Sequence, residues 1–215
     1  MDQSNPYSGI MRMAEWFVRF TYINVLWFIF TLFGGIIFGV MPATSTMFSL
    51  FRKWFRGEDD FPVFMTFWKE YKAHFKISNF ICLPLVAIGI FLYLDFLVLI
   101  NLSHWISNPL LVILGMLGLA FLFIAINIFP VLSHFELSFK DYYKRAFLIS
   151  LVQPFRLLFL IFTNILIALL IFTFPILFPI LGISLFGAVN MGSFLIGFRK
   201  IEAKQQGLSV DTAKE

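Results

Sequence analysis

No lysine or arginine occurs between Lys76 and Lys140, nor between Arg156 and Arg199. A charge at membrane depth costs about 3 kcal/mol on insertion scales, so bases collect where the chain returns to water. Short basic clusters separated by long apolar runs therefore describe a chain threaded repeatedly through a bilayer. A soluble fold is excluded on the same ground: with 60% hydrophobic and 13% charged residues, there is too little polar surface to cover what such a fold would expose. The 31 phenylalanines suit helices that face lipid all round rather than helices with one polar face.

One membrane domain covering residues 1–215 follows, all-α and polytopic. The formal charge of +4 and pI near 9.3 raise nucleic acid as a partner, but the bases lie beside apolar runs and not in one patch. They read as cytoplasmic anchors in contact with the bilayer and its anionic lipids. Cys82 stands alone in an apolar run, which leaves no disulfide framework and no cysteine metal site. Arg12 and Arg19 precede a long apolar segment without a small-residue cleavage site, so that segment is expected to stay in the mature protein.

Stretches 77–100, 110–132, 155–174 and 176–198 are each long enough to cross, at about twenty residues per span. Pro175 and Pro179 mark a tight turn between the last two. The first stretch is different. Phe20 to Phe51 carries no charge for 32 residues, and a straight helix of that length would reach about 48 Å across a core of about 30 Å. It must break, and residues 34–42, with Gly34, Gly35, Gly39 and Pro42, are where a break is expected. A single crossing over 17–40 strands Arg12 and Arg19 outside, whereas a hairpin puts all 16 bases on one side. The bundle is thus expected to have five or six spans.

A motif recurs 72 positions apart: Phe67, Tyr71, Lys72, Phe75 and Ser78 return as Phe139, Tyr143, Lys144, Phe147 and Ser150. The spacing puts the aromatics on one helical face, which predicts interfacial amphipathic helices over 62–76 and 138–150. These aromatic and lysine side chains are candidate docking residues, and the recurrence points to an internal repeat of interfacial helix plus membrane hairpin. Ser138 followed by Asp141 predicts a capped start for the second copy.

Chemistry-bearing residues are few. Asp95 is the one acid inside an expected span; its depth places it near the outer interface, with Asn101 and His104. Asn24, Asn127, Asn164 and Asn190 fall in different apolar segments and are candidates for interhelical hydrogen bonds or for a shared polar path. His74 and His134 belong to the inner surface and His104 to the outer, so the three cannot form one metal centre. No zinc-protease helix, serine elbow or phosphate-binding glycine loop occurs. No cofactor, metal or catalytic residue is expected.

Asn24-Val-Leu-Trp27, Gly39-Val-Met-Pro42-Ala43-Thr44, Phe51-Arg52-Lys53, Phe67-Trp68 and Phe75-Lys76, in this order, resemble the YesL-like family of bacterial membrane proteins, a family of unknown function. Many relatives have Gly directly before the Pro, where this chain has Met41. The resemblance implies a multi-pass protein of the bacterial cell membrane, often encoded near carbohydrate uptake and two-component regulatory genes, with no enzyme activity, cofactor or known site. An accessory subunit of a sugar importer or sensor is the expected function, and a small transporter or channel acting alone is the alternative. Pro42, Ala43 and Thr44 are expected to form a turn that starts a helix, or a partner site.

Overall fold

The computed structural model describes residues 6–102 and 107–205. Their helices are α1 (Pro6–Phe33), α2 (Ile37–Phe55), α3 (Val63–Asn101), α4 (Ser107–His134), α5 (Phe139–Val152), α6 (Pro154–Thr173) and, after a π-helical turn at Phe178–Gly182, α7 (Ile183–Gln205). No strand occurs among the described residues. Five segments are long and apolar enough to cross a membrane: Gly9–Phe33, Val63–Asn101, Ser107–His134, Pro154–Thr173 and Phe178–Arg199. The molecule is an all-α, multi-pass membrane bundle.

The long uncharged stretch breaks at Gly34 to Ile36, where Gly35 has φ +75° and Ile36 φ +61°. A side chain at Gly34 would collide with the Tyr71 hydroxyl and the Gly39 backbone, and Gly35 takes its positive φ without the strain a side chain would bring. Pro42 does not make the break, contrary to the sequence expectation; it sits inside α2, and Pro42, Ala43 and Thr44 are all buried. A proline in a helix interior orphans the carbonyl four residues earlier. Here Asn79 Nδ2, from α3, donates to that Phe38 carbonyl at 2.9 Å, and the helix continues.

α2 is the axis of the bundle. Every residue from Pro42 to Phe51 is buried, and α1, α3, α4 and α7 all pack on it. α1 runs antiparallel to it, with Trp16 on Phe55 at 5.6 Å and Phe20 on Phe51 at 5.5 Å. α3 is antiparallel on another side, with Ser78 on Ser45 and His74 on Ser49. This arrangement joins the basic segments: Arg19 pairs with Asp59 at 2.6 Å and Lys53 with Glu70 at 3.2 Å. It is the arrangement in which the chain turns back after its first helix.

The stretch 62–76 is not a separate interfacial helix. It is the first part of α3, a continuous helix of 39 residues, about 58 Å long. Its aromatic stripe faces protein at its centre: Phe67 and Tyr71 are buried, their rings tilted against Phe30 of α1 at 4.8 and 5.1 Å. The second copy does form its own helix, α5, which ends at Val152, with Gln153 outside the helix. Ser138 precedes it in extended backbone, but its hydroxyl donates to the Asp141 carboxylate and not to a backbone amide.

The two copies dock through the same kinds of contact, the first more deeply buried than the second. Phe67 packs on Phe30 and the Tyr71 hydroxyl donates to the Phe30 carbonyl at 3.0 Å; Phe139 packs on Phe80 at 4.8 Å and the Tyr143 hydroxyl donates to the Ile81 carbonyl at 2.5 Å. Ser78 donates to Ser45 of α2 at 2.8 Å, and Ser150 accepts from Asn127 of α4 at 2.7 Å. Each copy grips the helix two before it with Phe and Tyr, and the helix just before it with Ser. Beyond Leu85, α3 has no buried residue, nor has α4 between Asn108 and Ile126; these limbs meet each other at Gly89 and Phe121.

Candidate functional site

The ends of α2 and α4 and the beginnings of α3 and α5 enclose a polar cleft of about 550 Å³. The last turn of α2 supplies Arg52; Glu70 and His74, one turn apart on α3, share a face; α4 ends with His134; and Glu136 and Tyr142 come from the α4–α5 corner and α5. Glu70 lies 3.2 Å from Lys53 Nζ and 3.4 Å from His74 Nε2, and His74 also meets Ser49 Oγ at 3.2 Å. The Tyr142 hydroxyl donates to the Phe135 carbonyl at 3.0 Å and accepts from the Leu137 amide at 3.1 Å, which fixes the corner.

Arg52 and His134 are less fully engaged. Among the described residues no carboxylate forms an ion pair with Arg52; burial and the neighbouring Arg56 push its pKa below the usual arginine value, against the pull of Glu70 and Glu58. The His134 ring is wedged among Phe135, Phe194 and Phe198 at 4.6, 5.6 and 4.8 Å, with Nδ1 buried and without a hydrogen-bond partner. No group of three His, Cys, Asp or Glu side chains among the described residues is placed to hold a metal.

The asparagines do not converge. Asn24 of α1 inserts its amide into the π-helical turn: Nδ2 donates to the Phe178 and Pro179 carbonyls at 3.0 and 2.7 Å, and Oδ1 accepts from the Ile183 and Ser184 amides at 3.2 and 3.1 Å. Asn164 and Asn190 exchange hydrogen bonds between α6 and α7 at 3.3 and 3.0 Å. Asn127 accepts from Arg156 Nη2 at 2.6 Å, with Arg156 also over the Phe194 ring. Asp95 lies on the sparsely packed limb of α3, and His104 lies outside the described residues. Of the docking candidates, Lys72 stands over Trp68 at 4.8 Å, Phe75 meets Tyr71 at 5.6 Å, Phe147 meets Phe123 at 6.1 Å, and Lys144 is exposed.

Sequence reasoning placed His74 and His134 on one surface without bringing them together, and missed Arg52 and Glu70 as their neighbours. The Glu70-x3-His74 spacing was the available signal, since it sets two titratable groups on one face; that α4 would end against that face is a tertiary fact.

Residues 20–96 match the family described as "Protein of unknown function, DUF624". The uncharacterized protein YteU of Bacillus subtilis (strain 168) is 36% identical over 194 residues, covering 90% of this chain and 84% of YteU. The chain belongs to the DUF624 family. Two further uncharacterized proteins of that organism are similar: YesV, 32% identical over 89% of this chain and 92% of its own length, and YesL, 33% identical over 68% and 69%. No solved structure matches the chain. The DUF624 match takes in the glycine turn, all of α2 and the first aromatic copy, and ends before α4.

Proposed function

We propose that this DUF624 protein is a non-enzymatic subunit of the bacterial cell membrane that offers its polar cleft, on the cytoplasmic side, to a protein partner in carbohydrate uptake or its regulation. The observation that carries the reading is the cleft's setting: it opens among the basic ends of α2, α3 and α5, the segments that the positive-inside rule assigns to the cytoplasm. The link to carbohydrate uptake rests on the family resemblance alone. A small transporter or channel acting alone is the weaker alternative. The asparagines available to line a path are committed to three separate helix contacts, and side chains deeper than the cleft, Met47, Phe48 and Val131, are fully buried.

Membranes of a native host should yield the protein with a stoichiometric importer or sensor component after mild solubilisation. Sugar flux into liposomes that hold only this chain would overturn the reading. Cys82 is the single native cysteine and is buried, so introduced cysteines report sidedness cleanly. An impermeant thiol reagent should leave Arg12→Cys and Arg199→Cys unlabelled in intact cells, and labelling of either one contradicts a cytoplasmic cleft.

A further inference from the structure

The charges around the cleft are unevenly committed. Glu70 is shared by Lys53 and His74. Glu136, the other acid of the lining, is exposed. On the positive side, Arg52 lies in the lining with no carboxylate in ion-pair contact among the described residues, though Glu70 and Glu58 attract it from further off, and Arg56 follows four residues on at the end of α2. Arg145 adds its charge from α5, its guanidinium 4.4 Å from the centre of the Phe135 ring. The Tyr142 hydroxyl is already occupied on both sides and contributes shape rather than a free donor.

A half-buried guanidinium offers paired N–H donors in a planar fork, the geometry that fits two oxygens of a phosphate, and in a confined space such charge-assisted bonds are about twice as strong as neutral ones. An imidazole beside it supplies a further donor. The volume, about 550 Å³, accommodates more than a bare anion. We propose that the cleft binds a phosphate group, with Arg52 as its principal ligand, His134 beside it, and Arg56 and Arg145 setting the attractive field. The group arrives either on a soluble phosphorylated molecule or on a phospholipid head. The assignment stands independently of any protein partner, because it needs only the cleft.

The test uses the full chain purified in neutral detergent and titrated with inorganic phosphate, with chloride at matched ionic strength as the reference. Phosphate should raise the unfolding temperature along a saturable curve while chloride does not. Arg52→Gln should weaken the apparent affinity at least tenfold, with Arg52→Lys between it and the parent. Glu136→Gln should tighten binding two- to fivefold by removing a like charge at the rim, a gain that loss of fold cannot imitate. Incorporation into nanodiscs then separates the sources: phosphatidic acid that abolishes the phosphate response, where phosphatidylcholine does not, assigns a lipid head, and a response unaffected by both assigns a soluble ligand. A linear, chloride-like response to phosphate overturns the site. So does a parent-like affinity in Arg52→Gln, or an unchanged or weaker affinity in Glu136→Gln.

Discussion

The segments 67–85 and 139–157 start from the same motif and end differently. After Ser78 the helix runs on through Pro84 to Asn101, whereas after Ser150 it stops at Val152 and restarts at Pro154. A proline disfavours helical backbone in the residue before it, and Gln153 obeys, with φ −130° and ψ 62°. Its side chain is held there by a bond from Nε2 to the Gly197 carbonyl at 2.6 Å. Leu83 precedes a proline too, yet it stays helical. The difference teaches that proline only proposes a break; the neighbouring helices dispose of it. Where α7 comes close enough to catch the loosened turn, the chain bends and α6 packs back along α7. α3, by contrast, continues through Pro84 to Asn101 as one helix, with Tyr143 of α5 on the Ile81 carbonyl beside the proline.

Burial sets the largest expected contrast between the copies. Phe67→Ala should cost about 3–5 kcal/mol, as for other fully buried Phe, and Phe139→Ala about 1–2 kcal/mol because its ring is only half-buried. Thermal unfolding in detergent reads both, and equal losses would break the claim that the first copy is the more deeply docked. Next comes glycine. A side chain at Gly197 would collide with the Gln153 amide, so Gly197→Ala should cost about 1–3 kcal/mol, while Gly115→Ala, in open space on the α4 limb, should stay within about 0.5 kcal/mol. A costly Gly115→Ala would mean that the limb is packed against something. The smallest contrast is between hydroxyls. Tyr71→Phe and Tyr143→Phe should each lose about 1 kcal/mol, the first somewhat more because it is buried. A Tyr71→Phe protein as stable as the parent would show that the aromatic packing alone holds the first copy.

What could be read from the sequence was whatever depends on transfer into lipid. The base-free runs located the apolar helices, and the 72-residue recurrence located two segments that dock through the same kinds of contact. What escaped depends on partners far along the chain. Pro42 carries every local sign of a helix start, but its orphaned carbonyl is satisfied by Asn79, 41 positions beyond Phe38. The aromatic stripe of Phe67 and Tyr71 has the periodicity of a membrane-surface helix, and that periodicity is equally that of a helix packed against α1. The cleft was half legible, since Glu70 and His74 are local, while Arg52 and His134 arrive from α2 and α4.

The amide of Asn24 has a bearing on how the molecule is made. It belongs to α1, and its four bonding partners lie between Phe178 and Ser184. Until Phe178 to Ser184 have been made, that carboxamide has none of the bonds that satisfy it in the finished fold, and an unsatisfied amide in hydrocarbon costs several kcal/mol. A chain cut short before Phe178 therefore carries its own mark of incompleteness. The bond from α1 to the start of α7 is a latch set only once the ribosome has passed Ser184, some 160 residues after Asn24, and it makes α1 and α7 interdependent for assembly.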